Sequence, residues 1–208
     1  MRHVLRIDAS ARTDASHSRA LGNFLLECAQ AQSSELVVRT RDLSTEPVEQ
    51  IQQTTITGFY TPDDQMTDEL QSATALSDKL IDEVQWADTI LITVPMYNFS
   101  VPSALKAWVD QIVRINRTFS YVDGQFSGLV GARKAYVCCA YGAGGYLEGG
   151  DFAAANFLEP YLRFVLEFLG IEQVKFFSAE FLTADEATVQ AAIDQAKAQI
   201  SAELNSTN

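Results

Sequence analysis

Apolar residues recur along this chain in two patterns: short runs of four to seven residues, and longer segments in which they are spaced three or four positions apart. The short runs predict strands and the longer spacing predicts amphipathic helices. Strands are predicted at Val4–Asp8, Leu36–Arg41, Thr89–Pro95, Ala135–Ala140 and Val174–Phe177. Because strands and helices alternate, the pattern predicts an α/β fold with a five-stranded parallel sheet and helices on both faces.

The helical faces fill the connections between these strands. They are predicted within Leu21–Cys28, Met66–Val84, Leu105–Ile112, Leu158–Leu169 and Val189–Ile200. Pro102 fits the first turn of the third helix, where its missing N–H costs nothing. Gly170 is a plausible C-cap for the fourth helix.

Two segments do not follow this alternation. Asp42–Gln65 carries Pro47, Gly58 and Pro62, and it is predicted to be a long irregular connection. Such connections are uncommon in compact domains and are often functional. Phe119–Tyr121 is predicted to be a short extra strand or one arm of a hairpin.

The size and charge of the chain narrow the function classes. Its 208 residues are expected to form one domain, residues 1–208. The net charge of -12 argues against a nucleic-acid partner, which would require a basic surface. No apolar run is long enough to span a bilayer, and charged residues interrupt the N-terminal apolar run, so neither a membrane partner nor a signal peptide is expected. A cytoplasmic location follows as the expectation.

The cysteines do not predict a disulfide framework or a metal site. The chain has three, which is too few for a disulfide scaffold. Cys138 and Cys139 are adjacent in a predicted strand, so their side chains point to opposite faces of the sheet. We therefore expect no metal.

The most informative segments follow the first, third and fourth strands. In open α/β sheets, ligands bind beyond the carboxyl ends of the strands, near the point where the strand order reverses. The segments expected there are Ala9–Ser18, Met96–Ser100 and Tyr141–Gly150.

The first of these segments has the character of a phosphate site. It contains Ser10, Ser16, His17 and Ser18, and it opens a helix. A helix N-terminus offers unpaired N–H groups and a partial positive charge, and hydroxyls add donors. The segment has neither the G-x-G-x-x-G nor the G-K-[ST] pattern, so a single phosphate monoester fits better than a pyrophosphate. The alternative is that Ser16 or Ser18 only caps the helix.

The other two segments suit a planar aromatic cofactor. Met96–Phe99 combines a thioether, two aromatic rings and an amide, whereas Ala140–Tyr146 is rich in glycine. Apolar side chains would lie on the ring face and backbone groups would meet its polar rim. The alternatives are that Tyr97 and Phe99 pack into the core and that the glycines form a flexible connection.

Together these residues resemble a known family. The chain resembles the FMN-dependent NADH azoreductases, which are also described as NADH:quinone oxidoreductases. The residues that carry the resemblance are Ser10, Ser16–Ser18, Pro95–Phe99, Lys106–Trp108, Arg114, Thr118-Phe119 and Gly142. The resemblance implies a flavodoxin-like three-layer sandwich. It also implies non-covalently bound FMN, with NADH or NADPH as the electron donor.

The resemblance implies a role for each segment. The flavin phosphate would be held by Ser10, Ser16, His17 and Ser18. The ribityl chain and the ring would lie along Met96, Tyr97, Asn98 and Phe99. The polar rim of the ring would contact Ala140, Tyr141, Gly142 and Ala143, with Gly144 beside them. Family members are homodimers with flavin at the subunit interface. Phe59 and Tyr60 would then cover the partner's flavin, and Phe119 and Tyr121 are further candidates for the substrate pocket.

The implied activity is two-electron transfer to quinones and azo compounds by a ping-pong mechanism, with azo cleavage over two cycles. Because the flavin supplies the chemistry, no side chain is assigned a catalytic role. One alternative is a flavodoxin-type electron carrier without its own NAD(P)H oxidase activity. The other is a flavin-free hydrolase or transferase, for which the chain lacks a G-x-S-x-G motif.

One departure from the family lies after the fourth strand. The family commonly has Ser or Thr, then Arg and two Gly, where this chain has Ala140–Ala143. The guanidinium that would support the flavin rim is therefore absent.

Overall fold

A computed structural model describes residues 1–33 and 35–206. In chain order its elements are β1 (His3–Asp8), α1 (His17–Gln32), β2 (Val37–Asp42), α2 (Gln53–Tyr60), α3 (Asp68–Trp86), β3 (Thr89–Pro95), α4 (Ser103–Ile112), β4 (Phe119–Val122), β5 (Gln125–Gly128), β6 (Lys134–Ala140), α5 (Glu159–Phe168), β7 (Gln173–Ala179) and α6 (Glu186–Ser206).

The main sheet has the strand order β2-β1-β3-β6-β7, and every neighbouring pair in it is parallel. These are the five strands that the apolar runs predict, so the predicted flavodoxin-like three-layer sandwich is confirmed. The separate hairpin of β4 and β5 confirms the prediction for Phe119–Tyr121. Within the described residues, every helix is too short or too polar to cross a lipid bilayer.

Each face of the sheet carries its own core. The larger core includes side chains of α3, α4 and α5, such as Leu80, Trp108 and Leu162. The other core is built on α1 and α6. Successive strand residues alternate between the two cores, so Cys138 and Cys139 lie on opposite faces, as the spacing predicts.

Two helix ends refine the predicted boundaries. Pro102 is the N-cap immediately before α4, one position outside the helix. Gly170 follows the C-cap of α5 with φ +100°. Its N–H donates to Glu167 O at 2.9 Å and the Ile171 N–H donates to Leu166 O at 3.0 Å, which is a Schellman motif.

The predicted irregular connection Asp42–Gln65 is partly helical. It contains α2 and a short 3-10 helix at Asp63–Gln65. The helix α2 packs on α3 rather than on the sheet. The two helices approach closely, since a Cβ on Gly58 would lie 2.5 Å from Thr74 Cγ2. The buried residues of α2 are Thr55 and Gly58. With no large buried apolar side chains, α2 has no apolar period that would predict it.

The strand order brings the three informative loops to one edge. The chain adds β2 on one side of β1 and then crosses to place β3 on the other, so the order reverses between β1 and β3. Hydrogen bonds of 2.9 Å continue the sheet past the strand ends: Ala9 N–H donates to Thr93 O, Met96 N–H to Ala140 O, and Tyr141 N–H to Ala179 O. The loops after β1, β3 and β6 therefore start side by side.

Candidate functional site at the carboxyl edge of the sheet

A cleft opens where these loops meet. It is lined by Ser10, Arg12, Ala15, Ser16, His17, Ser18, Pro95, Met96, Tyr97, Ala140, Tyr141, Gly142, Leu182 and Thr183. A second depression shares Met96 and Gly142 with it and adds Asn98, Phe99, Ala143 and Tyr146. All the residues predicted to bind cofactor, except Gly144, therefore line one continuous surface.

The first loop ends in the N-terminus of α1. Ser16 is the N-cap, and its Oγ accepts from the Arg19 N–H at 3.5 Å and lies 3.3 Å from Ser18 Oγ. Ala15, just before the cap, has φ +52°. The N–H groups of His17 and Ser18 lie in the first helical turn, where no carbonyl of the helix can accept them. Hydroxyls and free N–H groups thus converge at this end of the cleft.

Beneath the first loop lies a buried charge network that the sequence did not predict. Arg19 donates to Asp42 Oδ1 at 2.8 Å, to Asp8 Oδ2 at 3.3 Å and to the Ser10 carbonyl at 2.8 Å. The hydrogen bond from Arg19 holds the pKa of Asp42 well below its usual range, and the same bond raises the pKa of Arg19. The charge of Arg19 is therefore neutralised by carboxylates, and its role is to hold the backbone at Ser10.

The second loop is a strained tight turn. Tyr97 and Ser100 exchange backbone hydrogen bonds of 3.0 and 3.1 Å, and the two residues between them have positive φ, +48° at Asn98 and +73° at Phe99. A turn with two left-handed central residues favours Asn or Gly, so phenylalanine there is strained. Phe99 is half exposed at the cleft, whereas packing into the core would have buried it. The Tyr97 hydroxyl accepts from the Ala11 N–H at 3.3 Å and links the first two loops.

The third loop presents its backbone to the cleft. Gly142 and Ala143 are exposed, while the Tyr141 side chain is fully buried. Gly144 faces the protein instead: a Cβ on it would lie 2.0 Å from Cζ of Phe181. The structure thus places Gly144 in a packing position behind the surface that its neighbours line.

A fourth loop, after β7, completes the cleft and was missed by the sequence reasoning. The N–H groups of Leu182 and Thr183 donate to the carbonyls of Tyr141 and Gly142, both at 3.1 Å. The available signal was its position, since it follows a strand end on the same edge of the sheet. Its sequence carries no phosphate or ring-binding pattern.

The four candidates for the substrate pocket lie elsewhere in this chain. Phe119 packs against Phe168, 4.9 Å between ring centroids, at the C-terminal end of α5 and therefore at the opposite edge of the sheet. Tyr121 is on the same hairpin. Phe59 lies 4.8 Å under the guanidinium of Arg114, and Tyr60 at the end of α2 is 73% exposed.

Comparisons with known proteins agree with this architecture. A family model described as "Flavodoxin-like fold" matches residues 2–204. The chain is 51% identical over 175 residues to an FMN-dependent NADH:quinone oxidoreductase of Xanthobacter autotrophicus, covering 84% of each chain. It is 39% identical over 206 residues to a protein of the same name from Nostoc punctiforme, covering 96% of this chain and 97% of the relative.

Solved structures share the fold. An FMN-dependent NADH-azoreductase from Bacillus anthracis str. Ames Ancestor, in complex with FMN, superimposes with a TM-score of 0.84 at 25% identity, over 97% of this chain and 99% of that one. An azoreductase from Bacillus anthracis str. Sterne gives 0.85 at 22% identity, over 97% of this chain and 100% of that one. The chain therefore belongs to the flavodoxin-like family and, within it, to the family of the FMN-dependent NADH:quinone oxidoreductases.

Proposed function

We propose that this protein is an FMN-dependent enzyme that passes electron pairs from NADH or NADPH to quinones and azo compounds. The observation that carries the proposal is the convergence of three loops, one rich in hydroxyls, one rich in aromatic rings and one exposing backbone, on a single cleft. The names of relatives up to 51% identical support the same activity.

The phosphate end of the cleft fits a phosphate monoester. Its donors are the hydroxyls of Ser10, Ser16 and Ser18 and the first-turn N–H groups of α1. Helix N-termini with such donors favour anions because the helix dipole adds partial positive charge. His17, which lies in the same first turn, is assigned to phosphate binding. We infer that these residues hold the FMN phosphate.

The other end of the cleft fits a planar ring. Met96 and Phe99 supply apolar surface, and the exposed backbone of Gly142 and Ala143 supplies polar groups at its margin. Asn98 offers the amide between them. FMN would supply the two-electron redox chemistry when bound. The chain's own residues bind and orient it, and no side chain is assigned to proton transfer.

One cleft that serves both donor and acceptor predicts ping-pong kinetics. The donor must leave before a quinone or azo compound occupies the same surface. Double-reciprocal plots of rate against NADH at several benzoquinone concentrations should be parallel. Intersecting lines would refute the shared surface, and azo cleavage should consume two equivalents of NADH for each azo bond.

The first experiment is an FMN titration of purified protein followed by fluorescence quenching and visible absorbance. We expect saturable binding at a one-to-one ratio. The loaded protein should then oxidise NADH or NADPH with a quinone and no added reductase. A protein that binds FMN but needs a separate reductase would be an electron carrier, and a protein without FMN affinity would refute the proposal.

Asn98 offers a test with a matched control. Asn98→Ala removes the amide but disfavours φ +48°, whereas Asn98→Gly removes the amide and permits that backbone conformation. If the amide contacts the flavin, both variants retain FMN more weakly. If only the alanine variant is weakened, the contribution of Asn98 is to the shape of the turn, and unchanged retention in both removes it from the site.

We further propose a homodimer with FMN at the interface, acting in the cytoplasm. An exposed aromatic surface beside the cleft supports association: Phe99, Phe152 and Phe157 are 51%, 56% and 59% exposed. Patches of this kind mark interaction sites. The three cysteines are free thiols, as a reducing compartment favours. Light scattering should give twice the chain mass of 22.9 kDa; a monomer at micromolar concentration would contradict the assembly.

A further inference from the structure

The third loop is held from behind by the side chain of its own Tyr141. The Tyr141 side chain points away from the cleft and is completely buried. Its hydroxyl donates to Glu159 Oε1 at 2.7 Å, and its ring stacks on Tyr146 with 5.8 Å between centroids. Tyr141 is among the residues that line the cleft, and the exposed Gly142 and Ala143 follow it directly. Tyr141 is thus an anchor at the start of the exposed part of this loop.

Glu159 ties this anchor to the sheet. The oxygen that accepts from Tyr141 also accepts from Ser178 Oγ at 2.6 Å, and Ser178 lies in β7. One carboxylate therefore joins the third loop, β7 and the first turn of α5. Burial and the nearby carboxylate raise the pKa of Tyr141, so its hydroxyl stays protonated and continues to donate.

Asn156 extends the cluster to the second loop. Its Nδ2 donates to the Tyr141 hydroxyl at 3.4 Å, and its Oδ1 accepts from the Glu159 N–H at 3.1 Å. The next residue, Phe157, donates its N–H to the carbonyl of the strained Phe99 at 3.0 Å. Two hydrogen bonds from the adjacent residues Asn156 and Phe157 thus link the hydroxyl of Tyr141 to the turn at Phe99.

We propose that Glu159 is a positioning residue that acts through Tyr141 to hold the backbone of Tyr141–Ala143 at the ring end of the cleft. The inference rests on the proposed function in that the ligand at this end is FMN. Glu159 and Tyr141 support this loop from behind rather than from the cleft. The competing explanation is that Glu159, as a first-turn acid, only stabilises the dipole of α5.

A double-mutant cycle separates the two explanations. We expect Tyr141→Phe and Glu159→Ala each to weaken FMN binding about tenfold, because each breaks the same buried hydrogen bond. The double variant should bind no more weakly than Glu159→Ala alone, since Glu159→Ala already removes the acceptor of the bond that Tyr141→Phe deletes. Glu159→Gln keeps an accepting oxygen and should restore affinity to within about threefold.

The control is Glu186→Ala, which removes a first-turn acid from α6. It should leave FMN affinity unchanged. A loss of FMN affinity of about a hundredfold in the double variant, the product of the two single losses, would overturn the proposal. So would a Glu159→Gln variant that binds FMN as weakly as Glu159→Ala does. Tyr141→Phe removes a single oxygen, so it remains informative if Glu159→Ala does not fold.

Hydrogen exchange of the FMN-free protein makes the result independent of the proposed function. The amides of Tyr141, Leu182 and Thr183, whose hydrogen bonds hold this loop, should exchange faster in Glu159→Gln than in the parent, and faster still in Glu159→Ala. Equal exchange in all three proteins would refute the positioning role. If the parent protein binds no FMN at all, the proposed function fails while the exchange rates still decide the inference.

Discussion

Arg12 provides a quantitative test of the phosphate end of the cleft. It lines the cleft and is exposed, and among the described residues its guanidinium has no hydrogen-bond or ion-pair partner. Arg19, by contrast, is neutralised by Asp42 and Asp8. A phosphate monoester at neutral pH carries a charge of about -1.5 to -2. We therefore expect Arg12 to be the cation that the bound phosphate meets.

The expected magnitude follows from exposure. Water screens exposed ion pairs, which contribute about 0.2–1 kcal/mol, and the extra phosphate charge favours the upper end of that range. Arg12→Gln should therefore weaken FMN binding about fivefold, equivalent to about 1 kcal/mol. Arg12→Lys keeps the charge and should lose less than about twofold.

Riboflavin, which lacks the phosphate, makes the assay specific. Fluorescence titrations should give the same riboflavin affinity for the parent and for Arg12→Gln. Raising the salt concentration should narrow the difference in FMN affinity, because the Debye length falls from about 10 Å at 0.1 M to about 3 Å at 1 M. Arg133→Gln makes the same charge change at the opposite edge of the sheet and is the control. Equal losses for FMN and riboflavin, or an equal effect of Arg133→Gln, would refute the reasoning.

Three further predictions concern the scaffold around the cleft. Gly144→Ala places a methyl group 2.0 Å from Cζ of Phe181, and because that ring is 48% exposed and can turn toward solvent, the free energy of unfolding in urea should fall by about 1 kcal/mol, the lower end of the range for overpacking. The hydrogen bond from Arg19 lowers the pKa of Asp42, so the carboxylate stabilises the fold fully above about pH 4 and this contribution is lost only as pH falls through the lowered folded-state pKa. Asp42→Asn should therefore destabilise the protein at pH 7 and, by a smaller but measurable amount, at pH 3. Burial raises the pKa of the Cys138 and Cys139 thiols, so iodoacetamide should modify only Cys28 in the native protein. Modification of all three thiols would show that the sheet opens.

The parts of the fold that were predictable are those in which the side chains repeat with the period of the element. β3 is apolar except at Thr89 and Thr93, and all but its last residue are buried. α2 was not predictable, because its buried face consists of Thr55 and Gly58, which pack on another helix. A helix that contacts neither face of the sheet does not need the broad apolar stripe by which helices are identified.

The candidate site shows the same division. Ser16 and Ser18 were identifiable because helix capping and phosphate binding use local donors at a helix start. The Arg19–Asp42 pair and the contacts of Leu182 were not, since each joins segments distant in the sequence. Gly144 was assigned to the cleft with its glycine neighbours, but glycine occurs both where a ligand approaches and where a neighbouring ring packs.

By itself, the sequence determined the three-layer architecture and the chemical character of each loop, because periodicity and donor type belong to consecutive residues. Only the tertiary structure decided that four loops share one cleft, that Tyr141 points inward to Glu159, and that Phe119 lies at the far edge of the sheet. These outcomes depend on strand order and on contacts between distant residues. Such contacts exist only once the parallel strands have aligned their carboxyl ends.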